Sequence, residues 1–120
     1  VASVEQTVFE ELRGDSTFAA NFEKIGVMDV PSDTAFPYLT IRQVDDPSTP
    51  MGLKESSSGE ARIQASVFSD SKYDCIDLRT TVREKLREIT GVQIANEAML
   101  DLSEEGYYEG IVDVIVTWVD

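Results

Sequence analysis

The side chains with chemistry to offer in this 120-residue chain are carboxylates, and they have few partners to work with. There are 23 Asp and Glu, ten Lys and Arg, and no histidine, for a net charge of −13. Without an imidazole there is no Ser-His-acid or Cys-His arrangement and no His-based zinc site. Two carboxylates alone can cleave a glycosidic bond. A sugar cleft, however, wants aromatic platforms beside its acids, and Trp118, Tyr107 and Tyr108 read more simply as sheet packing. Cys75 is the only cysteine, so no internal disulfide forms, and its spacing with Leu78, Val82 and Leu86 puts it on the apolar stripe of a helix. The seven glycines form neither a phosphate-cradling loop nor a dinucleotide fingerprint. Asp101-Leu-Ser-Glu-Glu-Gly106 looks like the opening of a calcium loop, but Val112 stands where the closing bidentate acid belongs. The flanking patterns are strands, so a hairpin turn is the simpler reading. These residues predict no catalysis and no cofactor or metal.

What the carboxylates can do is shape a field. Arg87 is the last basic residue, and the stretch beyond it carries Glu88, Glu97, Asp101, Glu104, Glu105, Glu109, Asp113 and Asp120. Glu104, Glu105, Glu109 and Asp113 are the candidate acidic surface. Gripping a nucleic-acid backbone needs Lys and Arg, and this balance has the wrong sign. Arg79, Arg83 and Arg87 recur every four residues and form one basic stripe on a helix. On a single molecule such a stripe is a solvated face; between copies it is a candidate contact for a neighbour's acidic hairpin. A second source for the acidity is adaptation to concentrated salt, where the Debye length falls to about 3 Å and self-repulsion is screened. Salt adaptation spreads acids evenly, whereas a functional surface clusters them, and this sequence shows some of each.

The elements that must position these groups are legible from periodicity. Residues 3–13 read as a helix, with Val4, Val8 and Leu12 on one face and Gly14 at its end. Asp15 caps a shorter helical stretch carrying Phe18 and Phe22. Strands are expected at 25–30, weakly, and at 38–45. Residues 46–59 read as a long loop with two prolines and a Ser-Ser-Ser-Gly run, and a loop of that length is usually functional or disordered. Asp46, Met51, Leu53, Lys54 and Glu55 are its candidate assembly residues. A strand at 60–69 and the strongest helix, at 71–89, follow, and Ser71 and Asp74 have capping-box spacing. Strands at 92–102 and 107–119 flank a polar turn. The order predicts one α+β domain over residues 1–120. Its sheet is mainly antiparallel, of four to five strands, with an N-terminal helix and one long helix packed against it. Both faces of the last strand are partly apolar, so each is expected to be covered to some degree. The apolar runs are far short of the ~20 residues that span a bilayer as a helix, and no secretory signal opens the chain.

Three stretches resemble one family when taken together. They are Leu12-Arg-Gly-Asp-Ser-Thr-Phe-Ala-Ala-Asn-Phe22, Phe36-Pro-Tyr-Leu-Thr-Ile41, and Ala61-Arg-Ile-Gln-Ala-Ser-Val-Phe-Ser-Asp70 with the helix to Ile89. The likeness is one of pattern and element order, and it is to the tail-terminator or tail-completion proteins of long-tailed phages and related viruses. The resemblance implies a structural virion protein, present in the host cytoplasm during assembly and then at the head–tail junction. It further implies a ring of six copies that caps the tail-tube protein, docks to the head connector protein, and passes DNA through an acidic lumen without binding it. The family has no catalytic residues to carry over. The alternatives are another head–tail connector or tail-tube subunit, or a monomeric acidic module that holds a protein partner with residues 46–59. A small hydrolase is the third class.

Overall fold

Period-two alternation over two long segments builds the centre of the molecule. In the computed structural model, which describes residues 4–27, 35–44 and 58–119, these become the strands β3 (Ser58–Ser69) and β5 (Tyr107–Val119), paired antiparallel along their whole length. The remaining elements are α1 (Val4–Gly14), α2 (Ser16–Ala19), β1 (Lys24–Val27), β2 (Tyr38–Gln43), α3 (Lys72–Arg87) and β4 (Val92–Leu102), with a 3-10 turn at Ser103–Glu105. The five strands form one sheet in the order β1-β2-β3-β5-β4. All neighbours are antiparallel except β1 and β2, which run parallel. The fold is α+β, as the element order predicts.

Both β3 and β4 are antiparallel to β5, so they run in the same direction, with α3 crossing between them and β5 inserted in the gap. The helix starts where Ser71 Oγ accepts a hydrogen bond from the Asp74 amide at 3.4 Å. Asp15 does the same for α2, accepting from the Phe18 amide at 3.1 Å. Both caps satisfy an amide that the first helical turn leaves without a partner.

All the core lies on one side of the sheet. Val8 and Leu12 of α1, Phe18 of α2, Phe22, and Cys75, Val82 and Leu86 of α3 pack onto Leu39, Ile41, Ile63, Ala65, Val67, Val112, Val114 and Val116. Each buried Leu or Val side chain contributes roughly 1.5–3 kcal/mol, so this layer is the main source of stability. Gly110 lets α3 come close: a Cβ there would crowd the Cβ of Arg79 at 3.1 Å and the sulfur of Met99 at 3.3 Å.

Strand β4 carries a bulge. Ile94 pairs with Val114, but the next pair is Asn96 with Asp113, leaving Ala95 as the extra residue. An extra residue reverses the side-chain parity downstream. Val92 and Ile94 face the helices; beyond the bulge that role passes to Glu97 and Met99, while Ala98, Leu100 and Leu102 turn to the other face.

Candidate functional site

The face of the sheet opposite the helices lies outside the core, and no described element lies over it. Its composition follows from register. Tyr38, Phe68, Glu109 and Leu100 form one row across the strands, and Thr40, Ser66, Ile111 and Ala98 form the next. Arg42, Gln64, Asp113 and Asn96 make a third row, and Arg62, Ile115 and Gln93 a fourth. Thr40 and Ser66 are buried, whereas Ile111, Ile115 and Ala98 are half-buried and Leu100 is 44% exposed. Ile111, Ala98 and Leu100 adjoin one another, with Ile115 beyond a polar row; grouped apolar side chains on a face that no described element covers mark an interaction surface.

One end of this face is aromatic. Tyr38 stacks on Phe68 with ring centroids 4.7 Å apart, and Phe36 stacks on Tyr38 at 5.7 Å. Tyr107 closes the group, 6.0 Å from both Phe36 and Phe68. Burial, with the neighbouring Tyr107 and Glu109 adding to it, pushes the Tyr38 phenol above its ordinary value. The rings lie in the offset and tilted arrangements that aromatic pairs favour.

The charges on this face are segregated. Lys24, Arg42 and Arg62 are all exposed and lie on β1, β2 and β3. Glu109 and Asp113 lie on β5, and Glu60 sits next to Arg62 on the same face of β3. Asp113 Oδ1 is enclosed and has no hydrogen-bond partner among the described residues.

The candidate acidic residues divide between two places. Glu109 and Asp113 join the uncovered sheet face, while Glu104 and Glu105 are exposed in the 3-10 turn at the tip of the β4–β5 hairpin. In that turn Asp101 accepts hydrogen bonds from Ser103, including its amide at 2.9 Å, which hold the Asp101 carboxyl below its ordinary value. Gly106 ends the turn in the left-handed region, with φ 92°. This is a hairpin turn, and among the described residues no group of three or more His, Cys, Asp or Glu is placed to hold a metal.

The basic stripe is spent largely within the chain. Arg83 Nη1 donates to Glu97 Oε2 at 3.2 Å, and Arg79 Nε lies 3.5 Å from the other carboxylate oxygen. The hydrogen bond and charge of Glu97 raise the pKa of Arg83 further above its ordinary value. Arg87, by contrast, is exposed and within 3.6 Å of Glu84 on its own helix. The sequence pattern showed the stripe but not its partner, because only the bulge at Ala95 turns Glu97 toward α3. Lys85 likewise donates to Asp15 at 2.8 Å, lowering the carboxyl and raising the amine. That pair borders a cleft of about 370 Å³ with Glu10, Glu11 and Gly14.

Cys75 is fully buried, and its thiol donates to the Val67 carbonyl at 3.7 Å. Burial pushes its pKa up to about 11, the reverse of what a nucleophilic thiol needs. Asp46, Met51, Leu53, Lys54 and Glu55 lie outside the described residues. No protein-family model matches the chain, and no curated protein sequence matches it significantly.

Proposed function

We propose that this chain is a structural virion protein of the head–tail junction, a tail terminator that assembles into a ring of six, caps the tail tube and docks it to the head connector. The observation that carries this reading is the sheet face that no described element covers, with its apolar group, aromatic end and segregated charges. A subunit built to be completed by neighbours has such a face, whereas a self-sufficient monomer covers it or makes it polar. The element order supports the same reading, through its resemblance to the terminator family. The acidic hairpin tip, Glu104 and Glu105, suits a lumen that DNA traverses, because fixed negative charge repels phosphate at short range.

Native mass measurement and sedimentation at several salt concentrations, with and without tail tubes, test this. A closed ring capping the tube is expected. A chain that forms no ring at any salt up to molar, alone or with tubes, overturns the terminator reading and favours a binding module that acts outside a ring.

A further inference from the structure

We propose that the free chain pairs with a second copy of itself, uncovered face to uncovered face, about a two-fold axis parallel to the strands. The pairing does not depend on the phage-tail reading, because it follows from how charge and apolar surface are placed on that face. The middle strand is β3, with β1 and β2 on one side and β5 and β4 on the other. A two-fold running along β3 therefore lays β2 of one copy over β5 of the other. Arg42 and Asp113 occupy the same row, so each arginine comes to lie over the partner copy's aspartate, twice per pair.

The charge pattern selects this axis over the other face-to-face choice. A two-fold perpendicular to the strands stacks each strand on itself, placing the β5 acids near one another and the β1–β2 cations likewise. Like charges brought together in that way are costly and suppress the arrangement. Along the parallel axis each open-face residue of β3 meets its own copy: Phe68 at the aromatic end, and Arg62 and Glu60 at the other. Those two like-charge contacts are offset in part because each Arg62 is also one two-residue step, about 7 Å along the strand, from the other copy's Glu60. Packed sheets lie about 10 Å apart, a gap that arginine and aspartate fill from opposite sides. The guanidinium also brings opposite charge to a carboxylate that has one enclosed oxygen with no hydrogen bond among the described residues. Five strands at about 4.8 Å spacing, roughly 20 Å long, present on the order of 500 Å² in projection. With side-chain relief this approaches the ~800 Å² per partner of a stable interface.

Sedimentation equilibrium of the purified chain tests the pairing through charge reversal. The wild type is expected as a two-copy species at micromolar concentration, and Arg42→Asp, at an exposed position, weakens the association at least tenfold. Arg42→Asp combined with Asp113→Arg recovers it, because an isologous interface reverses both contacts together. Arg87→Glu, on the helix side, leaves it unchanged. Circular dichroism melts establish that each variant is folded; if Asp113→Arg does not fold, Asp113→Asn replaces it and must weaken the pair as Arg42→Asp does. A wild type that sediments as a single copy, a ring with no two-copy species, or an Arg42→Asp chain that pairs as tightly as wild type overturns the proposal.

Discussion

Replacing Gly91 with alanine strikes the point where α3 hands the chain to β4. Gly91 has φ +86°, and a Cβ there would run into the carbonyl oxygen of Thr117 in β5. The same glycine's carbonyl accepts the Thr117 amide at 2.9 Å and the Thr117 hydroxyl at 3.2 Å. The left-handed backbone costs an alanine roughly 1 kcal/mol. Moving Thr117 away to relieve the overlap loosens two hydrogen bonds, each worth about 1 kcal/mol. The expected loss is therefore about 3 kcal/mol, or a fall in Tm of roughly 10–15 °C for a domain of this length. Gly106→Ala is the internal control: its φ is +92°, but nothing lies within 4 Å of the added Cβ. It should lose only the backbone cost of about 1 kcal/mol. Thermal melts of both variants, followed by circular dichroism, measure the difference. If Gly91→Ala melts no lower than Gly106→Ala, the close packing of the α3–β4 turn on β5 is wrong, and so is the register that places the bulge.

Glu97→Gln removes the carboxylate that Arg79 and Arg83 share and leaves Arg83 with Glu84 alone, so it should melt below wild type, and Arg79→Met should melt higher in a Glu97→Gln background than its own effect predicts; a double-mutant cycle measures that coupling. Native Cys75 should resist alkylation at pH 8 except at the rate of global unfolding, which a thiol-labelling time course reads directly. Its folded pKa of about 11 lies above the ordinary 9.0, so above pH 9 the unfolded chain binds fewer protons and stability falls as pH rises. By pH 11 that loss reaches roughly 2 kcal/mol, and urea titrations of Cys75→Ala should show a flatter decline over this range. Electrophoretic mobility at low ionic strength should show no binding to duplex DNA, and salt-sensitive micromolar affinity would contradict the sign of the surface.

The strands and helices were legible because their signals are local. Val4, Val8 and Leu12, the alternation from Ala61 to Val67, and the caps at Asp15 and Ser71 all report on neighbours within a turn or a strand step. The ends were less legible: the weak strand begins at Lys24 rather than Ile25, and the long helix closes at Arg87 rather than Ile89. Apart from the β4–β5 hairpin, announced by its polar turn, what pairs with what was not legible. Nothing in residues 24–27 announces a parallel partner in residues 38–41, because parallel pairing is a long-range choice. The candidate surface split in the same way. Glu109 and Asp113 could be assigned to one face of β5 by alternation. The face they share with Arg42 and Arg62 depends on strand order, and the Glu97 clamp depends on one extra residue at Ala95.

The placement of β5 has a consequence for how the protein is made. Of the described strands it is the last to be synthesised, yet it lies between β3 and β4. A nascent chain that has completed α3 and β4 still holds two strands with no common partner, each showing unpaired amides and carbonyls to whatever is nearby. Only when residues 107–119 emerge can they slot between the two and close both ladders at once. A fragment released from the ribosome before that point would retain its helices and its apolar stripes without a sheet to bury them. Early termination should therefore send such products to aggregation or proteolysis, not to a shortened but functional domain.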